Sequence, residues 1–447
     1  MSKNLVKITA DRVNADPSTI TNIRMPIGSL VNLESLCLYF DVDIKGPNPT
    51  IPARYSSSFI KRLSLTMNNV SVQIIQDYNF VYNMFADFKN KDKSKGVAGE
   101  FLENTVIWSE GAGSSTETAI TGANALLATT ATQTGLKMCI NNWLGFFGSS
   151  TTKIVNTDLT GEIVVSVEWA PNYECLAGTA EATSTTYTAS DTYEVKNIYM
   201  TAEALSFSDD TYYNSIGNKD LMIGFDDYII TKFASVQKTA GINVTTYVNA
   251  GNLCSVWGTA LMPQSVPKPM VGYSSGGDGA SANVINSYKY LSDPVAYDNN
   301  NGTAVSGDGF YNVVAHQRQL QHLETSQFSI NNKALNYAPL NPTENFQNLL
   351  LTLGYENVDA SANGFHSGVI SLLHFYKYYG VACQSLELID RDQFTLSGLN
   401  SQGSSCAINW VATFSGGASN TLTVVPVIVS KLRKVLHIKP GRQIMVE

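Results

Sequence analysis

Alternation of apolar and polar residues with a period of two runs through much of this 447-residue chain. In residues 35–44, Leu36, Leu38 and Phe40 alternate with polar residues, as the residues of a half-buried β-strand do. Four further segments alternate in the same way and are rich in β-branched and aromatic residues: 160–171, 193–207, 226–237 and 242–248. Helical spacing is confined to three short segments, 78–88, 343–353 and 367–377. The sequence therefore predicts an all-β protein with few short helices.

One hairpin is predicted in detail around Asn68-Asn69. Alternating segments precede and follow this pair, and asparagine tolerates the positive φ that a two-residue type I′ turn requires. A loop at these two residues would place all the apolar side chains of both strands on one face. The predicted cross-strand pairs are Met67–Val70, Leu65–Val72 and Leu63–Ile74.

A short helix is predicted to follow this hairpin, and the same order of features recurs in the second half of the chain. Asp77 is a favourable N-cap, and the apolar stripe after it has helical spacing. Residues 328–354 repeat strand, Asn-Asn turn, strand, cap and helix. This repeat predicts two similar β-domains in tandem, which meet near 208–220. The two predicted stripes are Tyr78, Val81, Tyr82 and Phe85, and Phe346, Leu349, Leu350 and Leu353.

The segment IPARYSSSFIKRLSLTMNNVSVQIIQDYNFVYNMFADF (51–88) resembles the N-terminal signature of double jelly-roll major capsid proteins, especially those of polinton-like viruses and virophages. In that family an S-S-x-[LI]-I-x-R-L segment leads through an N-N or N-G turn into Y-N-x-[LV]-Y. TGEIVVSVEWAPN and YEVKNIYMTAEALSFSDDTYY are similar to the closing strands of the first jelly roll. SKLRKVLHIKPGRQIMVE resembles the C-terminal end of the family.

This resemblance implies two tandem eight-stranded jelly rolls with long loops. The predicted division is an N-terminal arm (1–24), a first jelly roll (25–212), a second jelly roll (213–430) and a basic C-terminal arm (431–447). The resemblance further implies a homotrimer of pseudo-hexameric shape, and trimers that tile an icosahedral shell. The expected partners are other copies of the chain together with penton and minor capsid proteins.

The distribution of charge raises a question about the C-terminal arm. Charged residues make up only 15% of the chain, against the usual quarter, which predicts a surface largely covered by partners. The net charge is −8, yet residues 430–447 carry +4. Two interpretations stay open: a solvated tail, or an arm that contacts an anionic inner surface, either membrane lipid or genome. No nucleic-acid module is present, so sequence-specific DNA recognition is not expected. The candidate residues are Lys431, Arg433, Lys434, Lys439 and Arg442.

Motifs for catalysis, metals and cofactors are not found. The sequence contains no phosphate-binding loop, no G-x-S-x-G and no H-E-x-x-H, so no enzymatic activity and no cofactor are expected. The six cysteines are scattered without the short spacing of a zinc site. The N-terminus lacks the apolar region of a secretion signal, which predicts synthesis inside the host cell.

The leading hypothesis is therefore a non-catalytic major capsid subunit that resides in the virion. The alternative from another class is a viral spike or an adhesin-like β-sandwich binding protein. A third candidate, an all-β glycoside hydrolase, would need two carboxylates placed across a cleft.

Overall fold

The structure is a computed structural model that describes most of the chain. The described residues are 2–45, 50–52, 56–86, 133–178, 192–206, 220–261, 289–291, 311–313, 320, 323–353, 380–387, 397–402, 406–415 and 423–447. The long polar connections of the sequence, 110–135, 176–192 and 272–309, lie almost wholly outside these residues, as does the predicted helix at 367–377.

Strands dominate the described residues. In the first half they are β1 Ser2–Thr9, β2 Ile20–Arg24, β3 Leu30–Lys45, β4 Thr50–Pro52, β5 Ile60–Met67, β6 Val70–Ile75, β7 Gln133–Ile140, β8 Ile154–Asn156, β9 Ile163–Trp169, β10 Leu176–Gly178 and β11 Thr192–Ser206. In the second half they are β12 Leu221–Lys232, β13 Val236–Gln237, β14 Ile242–Val248, β15 Leu253–Leu261, β16 Lys289–Leu291, β17 Tyr311–Val313, β18 Leu323–Ile330, β19 Lys333–Ala334, β20 Ala382–Ser385, β21 Cys406–Phe414, β22 Thr423–Lys439 and β23 Gln443–Val446.

Helices are short. The α-helices are α1 Tyr78–Ala86, α2 Phe146–Ser149, α3 Thr157–Thr160, α4 Asn172–Cys175 and α5 Pro342–Leu353, with 3₁₀ turns at Ser56–Phe59 and Lys238–Ala240.

The first half of the chain forms a sandwich of two sheets. One sheet has the order β1-β11-β3-β7 with β8 on β3, and the other has the order β2-β9-β5-β6. The alternating residues of β3 face the other sheet and are fully buried, as predicted. Phe40 makes edge contacts there with Phe59 and Trp169, whose ring centroids lie 6.1 and 5.0 Å away. Burial of one face of each sheet supplies the core of this jelly roll.

The second half forms a second sandwich. Its larger sheet has the order β12-β22-β15-β20, with β13 and β23 also paired to β22, and its smaller sheet has the order β14-β21-β18-β19. Trp410 stacks on Phe328 in the core, with ring centroids 6.1 Å apart. Gly258 lies under this pair, where a Cβ atom would come within 2.6 Å of the Trp410 ring. The prediction of two tandem jelly rolls is confirmed, and the segment that joins them lies within 207–219, outside the described residues.

The predicted hairpin forms, but its register is only partly as expected. Asn68 and Asn69 have φ of 47° and 64°, as in a type I′ turn, and Met67 pairs with Val70. A bulge then shifts the ladder, so the other two predicted pairs are wrong. The observed pairs are Leu65–Gln73, Ser64–Ile74 and Leu63–Ile75.

The bulge exists because Gln73 faces inwards. Val72 and Gln73 are both buried, whereas Ile74 is 47% exposed and Ile75 takes its place in the core. The extra residue of a bulge changes which side chains point into the core, and here it inserts an amide whose hydrogen bonds are all made inside the protein.

The prediction that Asp77 caps α1 is wrong. Asp77 has a left-handed backbone (φ 47°), and its carboxylate pairs with the ammonium groups of Lys61 and Lys232, at 2.6 and 2.8 Å. In the second unit, by contrast, Asn341 and Glu344 form a reciprocal capping box at the start of α5, with bonds of 2.9 and 2.8 Å.

Both predicted arms are instead parts of β-sheets. β1 pairs with β11 from Ser2 to Thr9, and β2 pairs with β9, so residues 2–24 belong to the first sandwich. Residues 431–439 continue β22, and β23 folds back on it in a hairpin after Pro440-Gly441. The C-terminal segment is a strand because the apolar residues between its basic side chains, Leu432, Leu436 and Ile438, are buried in the core.

Two carboxylates on the outward face of β3 are covered by other polar side chains. Asp41 and Asp43 point away from the core but are only 8% and 7% exposed. Lys137 and Asn197 reach Asp41 Oδ2 at 2.6 and 2.7 Å, and Lys196 reaches Asp43 Oδ2 at 2.7 Å. These partners cover the two carboxylates and balance their charge.

Candidate functional site at the junction of the two jelly rolls

Three of the five candidate basic residues lie together where the two sandwiches meet. β22 runs between β12 and β15, and Arg433 is paired in register with Asp226 of β12. Lys431 and Lys434 flank Arg433 on the same strand. The ladder therefore brings three cations beside the two neighbouring carboxylates Asp226 and Asp227.

Three carboxylates of the chain neutralise these cations: Asp226, Asp227 and Glu387, whose Oε1 lies 3.6 Å from Arg433 Nη1. Arg433 donates from Nε and Nη2 to Asp226 Oδ1 at 3.2 and 3.1 Å, and Lys431 Nζ lies 3.0 Å from Asp226 Oδ2. Lys434 Nζ lies 2.7 Å from Asp227 Oδ2. Burial disfavours the charged guanidinium, but Asp226, Cys254 and Glu387 together outweigh this penalty and raise the pKa of Arg433. These residues are structural ion pairs of the second jelly roll.

Gln73 ties this cluster to the first jelly roll. Its Nε2 donates to the Asp226 carbonyl oxygen at 2.9 Å and to Asp227 Oδ1 at 2.8 Å, while its Oε1 accepts from the Phe146 amide at 2.7 Å. Gln73 is 4% exposed, so each of these bonds is shielded from water. The bulge in β6 thus places one amide as a bridge between the two sandwiches.

A second charged cluster crosses the same junction. Lys61 pairs with Asp77 and with the fully buried Glu174, and Asp77 also pairs with Lys232 of the second sandwich. Glu174 accepts a further bond of 2.7 Å from Asn79 Nδ2. Burial opposes ionisation of Asp77, but the charges of Lys61 and Lys232 outweigh burial and lower the pKa of Asp77 to about 2.

Aromatic side chains also contact one another across the junction. Phe85 of α1 contacts Trp257 and Tyr228 of the second sandwich, with ring centroids 4.9 and 5.4 Å away. Phe146 of α2 makes an edge contact with Phe225 at 5.3 Å. A single apolar core therefore runs from the first sandwich into the second.

The turn between β22 and β23 (440–442), which we call the C-terminal turn, also contacts the first half of the chain. Arg442 Nε donates to the Asp158 carbonyl oxygen at 3.0 Å, and Asn68 Nδ2 donates to the Arg442 carbonyl oxygen at 3.1 Å. Lys439 is half-buried in β22, opposite Gln443. Of the five candidate residues, Lys439 and Arg442 thus lie at or beside this turn, and the other three lie in the charged cluster around Asp226 and Asp227.

The sequence contained a signal for the junction that pattern reasoning missed. Asp226-Asp227 stands in the middle of a strand, and Lys431, Arg433 and Lys434 stand in another, so paired opposite charges on neighbouring strands were a possible interpretation. The sequence did not predict burial of Gln73 or Glu174. No local pattern shows which polar residue of a chain becomes buried.

The described residues contain neither a metal-ligating cluster of His, Cys, Asp and Glu side chains nor a membrane-spanning helix. Within the described residues, no group of three or more His, Cys, Asp or Glu side chains could hold a metal ion. All six cysteines are free thiols. No helix in the described part of the chain is long and apolar enough to cross a membrane. His316, His322, His366 and His374 lie outside the described residues.

One sheet surface stands out for its lack of charge. The outward residues of β14, β21 and β18 pair in register across three strands, and polar bonds such as Asn409 Nδ2 to Asn243 Oδ1 (2.8 Å) link them. Among the described residues of this sheet, charged side chains occur only at the rim, at Glu324 and Lys333. We call this set the uncharged face: Asn243, Thr245, Tyr247, Thr325, Gln327, Ser329, Ala407, Asn409, Val411 and Thr413.

The corresponding sheet of the first sandwich differs. Its outward residues include ion pairs between Arg24 and Glu162 at 2.5 Å and between Arg62 and Glu168 at 3.0 Å. The two halves thus share an architecture and present different surfaces.

Comparison with known proteins identifies the fold. No protein-family model and no curated protein sequence matches this chain. Solved structures match over its full length. VP54 of PBCV-1, in a crystal structure fitted into a cryo-EM reconstruction of the virophage Sputnik, has a TM-score of 0.61 at 11% identity, covering 100% of this chain and 96% of VP54.

Two further structures agree. The Faustovirus major capsid protein has a TM-score of 0.56 at 11% identity, covering 98% of this chain and 90% of its own. The mavirus major capsid protein has a TM-score of 0.51 at 8% identity, covering 99% and 90%. The chain has the double jelly-roll fold of these major capsid proteins.

Proposed function

We propose that this protein is a major capsid protein, a non-catalytic subunit that trimerises into pseudo-hexameric capsomers and tiles an icosahedral virus shell. The observation that carries the proposal is the match of the whole chain, with both sandwiches in the same order, to nearly the whole length of viral major capsid proteins. A fold alone does not fix a function, so the properties of this chain must also suit that role.

The junction supports a building-block role. Gln73, the two charged clusters and the Phe85 contacts hold the sandwiches together through buried groups. A shell subunit transmits load between neighbours, and two sandwiches with a shared core do this better than two domains on a flexible linker.

The uncharged face supports contact between copies of the chain. The buried centre of a protein interface is depleted of charged residues, while its rim is polar. The uncharged face has this arrangement, with Glu324 and Lys333 at its rim. We assign a contact between copies to this face.

The C-terminal turn is the remaining candidate for contact with an anionic inner surface, lipid or genome. Carboxylates of the same chain pair with Lys431, Arg433 and Lys434. The residues that remain for this proposed contact are therefore Lys439 and Arg442. Protease mapping tests it: the turn should be cleaved in free trimers and protected in intact particles. Binding of antibodies against residues 439–447 to intact particles would place the turn outside.

Light scattering and negative-stain imaging of the purified chain test the main proposal. The expected result is a hexagonal particle with three times the 48.5 kDa mass of one chain. A stable monomer at micromolar concentration would refute it, and a monomer that binds glycans would favour the spike or adhesin-like alternative.

Introduction of a charge tests the role of the uncharged face. Val411→Glu places a carboxylate at its centre, where desolvation is costly, and should abolish the contact between copies while circular dichroism stays unchanged. Lys333→Glu at the rim is the matched control and should leave assembly nearly intact. Equal assembly of both variants would exclude this face as a contact.

A further inference from the structure

One histidine on the outward face of the second sandwich lies between two methionines. His437 of β22 is directly opposite Met222 of β12 on one side and directly opposite Met445 of β23 on the other. Directly opposite residues of an antiparallel pair place their side chains on the same face of the sheet, with Cβ atoms about 4.5–5.5 Å apart. The three side chains therefore form one row across three adjacent strands.

This row points away from the core. The neighbours of the two methionines along their strands, Ile223 and Ile444, are buried. Successive side chains of a strand alternate between its two faces, so the row lies on the face towards solvent. Met222 is 62% exposed and Met445 is 45% exposed. A ligand can thus reach both methionine side chains from solution.

The position of the exposed methionines is not explained by packing. Methionine usually fills gaps in a core, and the other five methionines among the described residues do so. His437 is also the one histidine of the described part of the chain. Both exposed methionines of this part of the chain therefore flank its one histidine. The five core methionines are Met25, Met67, Met84, Met138 and Met200.

A carboxylate orients the histidine ring. Glu447 pairs with Val435 through two backbone hydrogen bonds of 3.0 Å, which places it on the same face as the row. Its Oε2 atom lies 3.4 Å from His437 Nε2. This contact favours the tautomer with its proton on Nε2 and leaves the lone pair of Nδ1 free to bind a metal. A histidine that binds a metal through one nitrogen commonly has a carboxylate at the other.

Two thioethers and one imidazole have a clear metal preference. Thioether sulfur is a soft ligand that selects Cu(I), and imidazole nitrogen also binds copper. The ligands need not touch one another, because the ion lies between them. Three rotatable bonds allow each methionine to turn its sulfur atom over the central ring.

We propose that Met222, His437 and Met445 form a three-coordinate site for Cu(I), with Glu447 as a positioning residue that acts through His437. The site does not depend on the capsid role.

A bound ion would join two strands that are not neighbours. In the described sheet, β12 and β23 each pair with β22. The ion would connect both of them to β22 through side chains and so fix the C-terminal hairpin to the rest of the sheet. A ligand that binds only the folded state stabilises it, so the melting temperature should rise by roughly 2 °C on binding.

Competition with a chromophoric Cu(I) chelator tests the proposal. The full chain is titrated without oxygen at pH 7 into the Cu(I) complex of bicinchoninate, whose absorbance reports the copper that the chelator retains. The wild-type chain should withdraw one Cu(I), and X-ray absorption at the copper edge should show sulfur and nitrogen ligands. Failure to withdraw copper, or a copper spectrum without sulfur ligands, would overturn the proposal.

Substitutions of the ligands assign the copper to this row. Met222→Leu/Met445→Leu and His437→Gln should each abolish the withdrawal of copper, while circular dichroism stays unchanged because all three residues lie on the surface. Met200→Leu is the matched control, since leucine and methionine have similar volumes and Met200 is fully buried. Withdrawal of copper by the double methionine variant as by wild type would refute the site.

Two further variants separate thiols and the positioning residue from the ligands. Cys37 is half-buried and the other five cysteines are buried, so Cys37→Ser removes the most accessible competing thiol and should still withdraw one Cu(I). Loss of copper in Cys37→Ser would assign the ion to a thiol. Glu447→Gln should weaken Cu(I) binding about tenfold and leave the melting temperature of the metal-free protein unchanged. Unaltered affinity in Glu447→Gln would contradict its positioning role.

Discussion

The two Asn-Asn units of the chain begin alike and end in different environments. Both turns have positive φ at both asparagines, 47° and 64° at residues 68 and 69 and 50° and 64° at residues 331 and 332. In the first unit, every described side chain of α1 is buried. In the second, β19 has two residues and α5 keeps an exposed side that includes Leu351.

The difference follows from what covers each helix. α1 lies against the second sandwich through Phe85, and its Tyr78 hydroxyl accepts a bond from the Leu144 amide at 3.1 Å. α5 packs on β18 and β20 at one side of its own sandwich, where Asn348 Nδ2 donates to the Cys383 carbonyl oxygen. The same local sequence order therefore produces the same turn and helix, while tertiary contacts decide how much of the helix is buried.

The largest expected difference in the free energy of unfolding is between variants at the last position of each apolar stripe. Phe85→Ala removes a ring from the shared core and should cost about 3–5 kcal/mol in the free energy of unfolding. Leu353→Ala, at the matching position of the half-buried stripe, should cost about 1 kcal/mol. Urea unfolding of both variants measures this, and equal losses would show that α1 is not the more deeply packed helix.

The second-largest difference in the free energy of unfolding is expected at Gln73, whose side-chain amide bridges the two sandwiches. Gln73→Ala leaves the Phe146 amide and the Asp226 carbonyl without their buried partner and should cost about 2–3 kcal/mol. Gln327→Ala is the control in the second unit, because Gln327 is half-buried and donates one bond of 3.1 Å to the Asn336 carbonyl oxygen. Gln327→Ala should lower the free energy of unfolding by less than about 1 kcal/mol. A larger cost for Gln327 than for Gln73 would contradict the bridging role.

Asp77 makes the first unit sensitive to acid. Its pKa falls from an ordinary 3.8 to about 2 on folding, so its ionisation stabilises the folded state above pH 4. This contribution, about 2 kcal/mol, is lost as the pH falls from about 4 to 2. Asp77→Asn should therefore be less stable than wild type at pH 7 by about that amount.

The measurement is the free energy of unfolding of both proteins between pH 2 and 7. The difference between wild type and Asp77→Asn should shrink towards zero near pH 2. Asp220→Asn, at an exposed carboxylate beside β12, should match wild type throughout. A difference for Asp77→Asn that does not vary with pH would rule out the ion pairs with Lys61 and Lys232 as its cause.

The smallest effect on stability is expected at the two Asn-Asn turns, where the two units are most alike. Glycine adopts positive φ without strain, so Asn69→Gly and Asn332→Gly should each change stability by no more than about 0.5 kcal/mol, and by the same amount. Thermal melts of the two variants test this. Unequal shifts would mean that one turn depends on contacts beyond its own backbone.

The sequence by itself determined the local features. Asparagine pairs with tolerance for positive φ set both turns, and the period of two in residues 36–44 set which side of β3 faces the core. Helical spacing set α1 and α5 to within two residues at their C-terminal ends. Each of these follows from forces between residues close along the chain.

Only the tertiary structure decided the rest. The bulge at Val72-Gln73, the ion pair of Asp77 with Lys232 and the strand at residues 431–439 depend on partners more than 100 residues away in sequence, such as Asp226 for Gln73 and Arg433. A basic residue has the same sequence signature in a solvated tail as beside a buried carboxylate. The strand pairing that supplies the carboxylate is a long-range contact, and no local pattern encodes it.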